Sequence, residues 1–363
     1  MKVRDALRNF RPYQWEPSTR ELAKSVGLSP KKIIRMDANT SPFPPLASLS
    51  DLAPQFLHLP VNEYPDTSYY ELSTQLSRYT GKNRERLVVT NGADEALDIV
   101  SKVFLNPSDE VIIPYPTYSM FRIVSEIMGA IPIFVKRNAD LSLNVEEIRK
   151  RISNRTRAIF LCSPNNPTGD TISEETARGI IELTDATVVI DEAYFDFCGK
   201  TLASLTEKYE NVVIIRTFSK AFSMAGVRVG YAIGCEGMTK ALNLVRPPNS
   251  LGVISLALAQ SALRHRQSMR ENVRQIMSER KRISESMGKL NGLRVYPGEA
   301  NFILFKVGDQ RAKKLCSQLL KRGFVLRDFS ETRGLEGCLR VTISTKANND
   351  DFLENLRALT ERS

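Results

Sequence analysis

Residues 212–230 have the sequence Val-Val-Ile-Ile-Arg-Thr-Phe-Ser-Lys-Ala-Phe-Ser-Met-Ala-Gly-Val-Arg-Val-Gly. The apolar, β-branched run from Val212 to Ile215 predicts a buried strand. After it come a hydroxyl at Ser219, an amine at Lys220 and a guanidinium at Arg228. An amine at a strand end can form a Schiff base with a carbonyl, and the other two groups can hold a phosphate. Taken alone, such a segment is more often a solvated loop.

Two further segments also close apolar runs. The run from Ala186 to Ile190 ends at Asp191, and the run from Ala158 to Leu161 leads into residues 162–169, Cys-Ser-Pro-Asn-Asn-Pro-Thr-Gly. Ligands of open α/β sheets bind at the carboxyl ends of parallel strands. An amine, a phosphate holder and a carboxylate that keeps a pyridinium nitrogen protonated together indicate pyridoxal 5′-phosphate (PLP). Taken singly, Asp191 is equally well a helix N-cap, and residues 162–169 are a plain turn.

Strand and helix patterns alternate between residues 86 and 234, which predicts an α/β fold with a mainly parallel, helix-covered sheet. We divide the chain into an N-terminal arm that joins the small domain (1–40), a large PLP-binding domain (41–250), and an interdomain helix with a small α+β domain (251–363). In this last part we expect one long helix over 251–290, strands over 293–307, 325–327 and 339–344, and helices over 311–322 and 350–361.

Composition bounds the function. The chain has 363 residues, a formal net charge of +10 and five cysteines without a Cys-x-x-Cys pair. The odd, scattered cysteines favour reduced thiols in the cytoplasm and argue against a metal site. We expect no membrane segment, since no run of about 18 apolar residues occurs. Basic residues are mixed with acidic ones and form no run interleaved with aromatics, so nucleic-acid binding is not expected.

Four short motifs occur in a fixed order: Asn-Pro-Thr-Gly at 166–169, Asp-Glu-Ala-Tyr at 191–194, Ser-Lys-Ala-Phe at 219–222 and Gly-x-Arg-x-Gly at 226–230. Together they resemble the fold-type I PLP-dependent aminotransferases, and within them the histidinol-phosphate aminotransferase group. The resemblance runs from about Arg11 to the C-terminus. It implies that Lys220 holds PLP covalently and moves the substrate proton, while Asp191 faces the pyridine nitrogen.

The resemblance also assigns the remaining cofactor contacts. It implies that the PLP phosphate is bound by backbone at the start of a helix and by side chains near Lys220, namely Ala93, Asp94, Thr217, Ser219 and Arg228. Tyr118 would stack on the pyridine ring, and Asn166 and Tyr194 would bind its phenolic oxygen. Tyr64 would reach the phosphate of the neighbouring subunit's cofactor, which implies a homodimer.

On the substrate side, the resemblance implies that Arg327 and Arg340 grip a substrate phosphate and that Tyr13 and Asn39 contact the substrate. Thr40 and Pro248 depart from the family's usual residues. The expected reaction moves an amino group between glutamate and imidazole acetol phosphate, with ping-pong kinetics. The alternatives are a lyase similar to threonine-phosphate decarboxylase, an aromatic amino acid aminotransferase, and a non-catalytic regulator. The structural alternative to the phosphate grip is that Arg327 merely pairs with a surface acid such as Asp328 or Glu331.

Overall fold

The computed structural model describes residues 2–8, 10–13 and 15–361. Its strands are β1 Ile34–Arg35, β2 Leu87–Thr90, β3 Glu110–Tyr115, β4 Ile131–Lys136, β5 Thr156–Cys162, β6 Thr187–Asp191, β7 Val212–Thr217, β8 Gly230–Ile233, β9 Arg294–Val295, β10 Phe302–Lys306, β11 Phe324–Val325, β12 Arg327–Asp328 and β13 Cys338–Thr342. Its α-helices are α1 Thr19–Val26, α2 Leu46–Leu52, α3 Tyr70–Thr80, α4 Gly92–Phe104, α5 Met120–Ile127, α6 Val145–Arg151, α7 Glu174–Ile181, α8 Phe195–Cys198, α9 Leu205–Lys208, α10 Glu236–Asn243, α11 Val253–Arg264, α12 Arg266–Gly288, α13 Asp309–Lys321 and α14 Lys346–Thr360.

A seven-stranded sheet forms the centre of the molecule, in the order β2-β8-β7-β6-β5-β3-β4. Strands β3 to β7 run parallel, and β8 runs antiparallel to both of its neighbours. Both faces are covered: along β6, Val188 and Ile190 pack into one apolar cluster and Val189 into the other. A strand buried on both faces needs an unbroken apolar run, which is the pattern seen in the sequence. The predicted α/β class is confirmed.

The register of this sheet brings several loops to one edge. Asp191 pairs with Cys162 on one side and with Ile215 on the other, while Gly230 pairs with both Thr217 and Thr90. The chain therefore leaves β2, β5, β6 and β7 at the same edge of the sheet. The three motifs that follow β5, β6 and β7, and the start of α4 after β2, lie together there.

A smaller antiparallel sheet, β12-β13-β10-β9, is covered by α12 and α13, and α14 packs against these two helices. Strand β1 from the N-terminal part pairs parallel with β11 beside it. The proposed division of the chain at residues 40 and 250 stays a prediction. Among the described residues, no helix is both long enough and apolar enough to cross a membrane.

Two predictions about the elements are wrong, and some helices were not predicted. The long helix over 251–290 is two helices, α11 and α12, because His265 leaves helical geometry with φ −98° and ψ 27°. The strand over 293–307 is the pair β9 and β10, which the turn at Pro297-Gly298 separates. Helices α2 and α3 lie in a stretch for which no element was predicted.

Candidate active site

A cleft with a volume of about 720 Å³ opens at the carboxyl edge of the large sheet. Its lining comes from both sheets and from the N-terminal arm. It includes every predicted site residue except Tyr64: Tyr13, Asn39, Ala93, Asp94, Tyr118, Asn166, Asp191, Tyr194, Thr217, Ser219, Lys220, Arg228, Arg327 and Arg340. The fold thus brings together side chains separated by more than 300 positions, although their individual roles stay predictions.

Lys220 follows β7 and directs its amine into the cleft. The Nζ atom donates a hydrogen bond to the carbonyl oxygen of Ala38 at 3.2 Å and lies 5.7 Å from the centre of the Tyr194 ring. Burial, and next the positive charge of Arg340, lower the pKa of Lys220 to about 8. Near neutral pH the site therefore holds a useful fraction of neutral amine, which is the nucleophilic form.

Asp191 ends β6 and is 3% exposed. Its Oδ1 accepts a hydrogen bond from the Ala193 N–H at 2.9 Å. Burial raises the pKa of this carboxyl to about 7, and the Ala193 contact opposes that rise. A carboxylate in such a place is stabilised by a cationic or N–H partner that enters the cleft.

An anion cup lies between the start of α4 and the turn after β7. The Thr217 hydroxyl donates to Ser219 Oγ at 2.9 Å, and Arg228 Nη1 donates to the same oxygen at 3.4 Å. Arg228 Nη2 also lies 3.3 Å from Asp94 Oδ2. Gly92 has φ +80°, and a Cβ there would lie 2.8 Å from Arg228 Nη2. Free N–H groups of the helix start, two hydroxyls and a guanidinium suit a phosphate.

Aromatic side chains line the middle of the cleft. Tyr118 donates from its hydroxyl to Asp94 Oδ1 at 2.9 Å, and burial raises its pKa, followed by the charge of Asp94. The hydroxyl of Tyr194 accepts a hydrogen bond from Asn39 Nδ2 at 2.9 Å. Asn39, predicted as a substrate contact, is 1% exposed and positions Tyr194. Both tyrosines stay neutral at ordinary pH and can donate hydrogen bonds.

Arg340 on β13 is a buried cation at the roof of the cleft, 6% exposed. Its Nη1 donates to Asn166 Oδ1 at 2.5 Å and its Nη2 to the carbonyl of Asp37. Among the described residues its Nε has no hydrogen-bond partner. Burial lowers the pKa of Arg340 to about 10. A buried guanidinium held by neutral oxygens is stabilised further when an anion arrives.

Arg327 on β12 lies directly opposite Arg340 in the strand register. Its Nη1 donates to Glu16 Oε1 at 2.6 Å. In the described part of the chain, Arg327 forms its ion pair with neither of the two predicted surface acids. Glu331 pairs with Lys313 at the surface, and the Asp328 carboxylate accepts a hydrogen bond from the Ser330 N–H. Arg327 does pair with an acid, but with one inside the cleft.

Tyr13 lies on the N-terminal arm at the mouth of the cleft. Burial raises its pKa, and the charge of Glu16 adds to the rise. Tyr64 lies outside the cleft and is 86% exposed. Within its own chain, Tyr64 is therefore placed away from the other predicted residues.

Some residues of the cleft were not predicted. Glu16 and Asp37 bring two carboxylates to the arginine side of the cleft. Behind the lining, the buried Asn165 ties two loops together by accepting from Thr117 Oγ1 and donating to the Pro116 carbonyl. Glu16 lies three positions after Tyr13, so an acid close to a predicted substrate residue was the available signal. Asn165 precedes Asn166 in the same motif and offered no signal of its own.

The donor set of the cleft fits PLP. The amine of Lys220 can bond an aldehyde carbon, the buried carboxylate of Asp191 suits a protonated ring nitrogen, and the cup around Ser219 and Arg228 suits a phosphate. Tyr194 and the amide of Asn166 lie in the same cleft as donors for a phenolic oxygen. Among the described residues, no group of three or more His, Cys, Asp or Glu side chains could hold a metal ion.

Comparison with known proteins gives a consistent result. The model of the family "aminotransferase class I and II" matches residues 31–356. Histidinol-phosphate aminotransferase of Caldanaerobacter subterraneus subsp. tengcongensis is 38% identical, covering 90% of this chain and 92% of the relative. The protein of the same name from Methanocaldococcus jannaschii is 34% identical, covering 99% and 97%. The crystal structure of histidinol-phosphate aminotransferase from Sinorhizobium meliloti with pyridoxal-5′-phosphate superposes with a TM-score of 0.85 at 22% identity, covering 99% of each chain, and shows the shared fold.

Proposed function

Since the chain belongs to the aminotransferase class I and II family, we propose that it moves an amino group between glutamate and histidinol phosphate, with 2-oxoglutarate and imidazole acetol phosphate as the keto partners. The reaction belongs to histidine biosynthesis, and PLP is the cofactor. The observation that supports a phosphorylated substrate is the pair of arginines, Arg327 and Arg340. They lie opposite each other and line the same cleft as Lys220. Relatives that are 34–39% identical over most of the chain support the same assignment.

When bound, PLP supplies an electron sink for the charge left on the substrate Cα as its proton is removed. Lys220 would hold the cofactor and then, as a free amine, take the proton from Cα. Its lowered pKa favours the neutral form that this step needs. Asp191 would keep the ring nitrogen protonated, and Tyr118 would cover one ring face. Thr217, Ser219 and Arg228, together with the backbone at Ala93 and Asp94, would hold the cofactor phosphate.

On the substrate side, Arg340 would bind the α-carboxylate of glutamate, and Arg327 with Arg340 would bind the phosphate of histidinol phosphate. A planar guanidinium gives a phosphate two parallel, charge-assisted hydrogen bonds. Tyr13 would cover the ligand from the arm. Asn39 contributes by positioning Tyr194.

We also propose that the enzyme works as a homodimer, with Tyr64 completing the cofactor site of the second copy. Tyr64 and the apolar side chains Leu46, Leu57 and Val61 are all more than 60% exposed. Apolar side chains this exposed, close together in sequence, favour a protein interface. Tyr64→Phe should weaken PLP retention, and scattering that shows a fully active monomer would rule the dimer out. A cytoplasmic location stays a prediction.

A half-reaction screen tests the function. The PLP-loaded enzyme is mixed separately with histidinol phosphate, glutamate, threonine phosphate and phenylalanine while the cofactor absorbance is followed. Histidinol phosphate and glutamate should each convert the cofactor to its amine form, and 2-oxoglutarate should reverse the change. Release of CO2 from threonine phosphate without amino transfer would instead support the decarboxylase alternative. Efficient conversion by phenylalanine alone would support an aromatic aminotransferase.

A further inference from the structure

Glu16 places a carboxylate inside the proposed phosphate site. Its Oε1 accepts from Arg327 Nη1 at 2.6 Å, and its side chain is only 26% exposed. The Glu16 Oε2 atom also lies 3.5 Å from Arg35 Nη2. The residue is far from Arg327 in sequence, so the contact depends on how the N-terminal arm crosses the cleft.

Arg35 makes shorter hydrogen bonds to other residues than its contact with Glu16. Its Nε and Nη2 donate to the two carboxylate oxygens of Asp37 at 2.8 and 2.7 Å, and its Nη1 donates to the Pro17 carbonyl at 3.1 Å. The bidentate pair with Asp37 is the stronger arrangement. Glu16 therefore serves mainly as the counter-ion of Arg327, whereas Arg340 donates its hydrogen bonds to neutral oxygens and is reached by the charges of Glu16 and Asp37 only at longer range.

The arm is fixed on both sides of Glu16. On one side Arg122 Nη2 donates to the Arg11 carbonyl at 2.9 Å, and on the other Arg35 holds the Pro17 carbonyl. These contacts go to the backbone and do not involve the Glu16 carboxylate. The carboxylate is thus presented to Arg327 and can turn away from it without detaching the arm.

We propose that Glu16 is a specificity-determining residue, which pairs with Arg327 whenever the ligand lacks a phosphate and is displaced when a phosphate binds. The proposal rests on the proposed function in that one substrate carries a phosphate and the other, glutamate, does not. A partly buried guanidinium left without an anion is unfavourable. A phosphate dianion gains more from two facing guanidiniums than one carboxylate does, so it can take the place of Glu16.

The test compares Glu16→Gln with the control Glu331→Gln in the PLP-loaded enzyme. Glu331 is also an acid of an ion pair, but it lies 82% exposed outside the cleft. Three quantities are measured: the apparent Kd of histidinol phosphate and of glutamate in single-turnover half-reactions, and the inhibition constant of inorganic phosphate against glutamate. Glu16→Gln should lower the histidinol phosphate and phosphate constants about five- to tenfold and change that of glutamate less than about twofold. The control should leave all three unchanged.

An unchanged or raised phosphate inhibition constant in Glu16→Gln would overturn the proposal. If the wild-type enzyme does not convert histidinol phosphate at all, the proposed function fails, yet the phosphate constant still decides the role of Glu16. Trp15, the one tryptophan of the chain, gives a second readout. It is 88% exposed and packs edge-on against Tyr13 with the ring centres 6.2 Å apart. A change in its emission on saturation with phosphate that is absent in Glu16→Gln would support displacement of the Glu16 carboxylate.

Discussion

Arg327 and Arg340 stand directly opposite each other on the neighbouring antiparallel strands β12 and β13. Like charges at facing positions of a sheet repel and lower its stability. Here the two charges are offset unequally, since Arg327 pairs directly with Glu16, whereas Arg340 is buried against neutral oxygens and feels Glu16 and Asp37 only at longer range. Such an arrangement favours the binding of an anion that can contact both guanidiniums.

Replacing Arg327 should therefore weaken the binding of the phosphorylated substrate more than the binding of glutamate. Loss of one charge-assisted contact costs about 1.5–3 kcal/mol, so Arg327→Ala should raise the KM for histidinol phosphate about ten- to a hundredfold. The glutamate half-reaction should change much less, because Arg340 remains for the α-carboxylate. Lys313→Ala is the control, since it removes a cation that is 73% exposed in the same domain. Equal KM values for the phosphorylated substrate in the wild-type and Arg327→Ala enzymes would refute the phosphate grip.

Lys220 should capture the cofactor in a pH-dependent way. The neutral amine is the nucleophile, and burial lowers the pKa of Lys220 to about 8. The rate at which the PLP-free protein binds PLP covalently should thus rise with pH up to about 8 and level off above it. The measurement is stopped-flow absorbance, followed by borohydride reduction and peptide mapping. The label should lie on Lys220 and be missing in Lys220→Ala, whereas a label on another lysine would contradict the assignment.

The sequence predicted that the residues assigned to the cofactor would lie together, because their motifs follow apolar strands; their roles stay predictions. Asp191 ends β6 and Lys220 lies three residues after the end of β7, and parallel strands bring such ends to one edge of a sheet. The contact between Glu16 and Arg327 could not be predicted in this way. It joins residues 311 positions apart, and neither of them belongs to a local pattern.

The errors in the predicted elements have two different causes. The break between α11 and α12 falls at His265, with neither Gly nor Pro beside it, so helical periodicity continues through it. The division of residues 293–307 was available from the sequence, since Pro297 and Gly298 are turn residues. The apolar residues on both sides favour one continuous strand, and the two turn residues between them break it.

Asp191→Asn should change how the stability of the PLP-free protein depends on pH. In the folded protein the carboxyl has a pKa of about 7, against 3.8 ordinarily. As pH rises from about 4 to about 7, the unfolded chain therefore loses this proton first, and the free energy of unfolding falls. The fall amounts to about 1.4 kcal/mol per pH unit for one proton, and it should be absent in Asp191→Asn. Asp196, whose pKa burial raises to about 6, is common to both proteins and cancels in the difference.

Denaturant unfolding of both PLP-free proteins between pH 4 and pH 7 measures this difference. Relative to the wild type, the free energy of unfolding of Asp191→Asn should rise steadily from pH 4 to pH 7. The difference between the two proteins should change by on the order of 4 kcal/mol over this range. A difference that stays constant with pH would show that Asp191 is already ionised in the folded protein. In that case another group in the folded protein would stabilise the ionised Asp191 before the cofactor binds.

Gly92→Ala should damage the phosphate cup without much harm to the fold. Gly92 has φ +80°, and an added Cβ would lie 2.8 Å from Arg228 Nη2, so the guanidinium would have to move out of the cup. Gly81 is a matched control, because it has φ +69° and a Cβ there would meet nothing within 4 Å. Both substitutions force an L-residue into the left-handed region, at a similar cost of about 1 kcal/mol in unfolding free energy. Only Gly92→Ala should also weaken the binding of PLP. Its Kd, measured by dialysis, should rise by about tenfold or more, as expected for one lost charge-assisted contact. If both variants retained PLP like the wild type, Arg228 would have no part in holding the cofactor, and the cup would depend on the helix start and the hydroxyls alone.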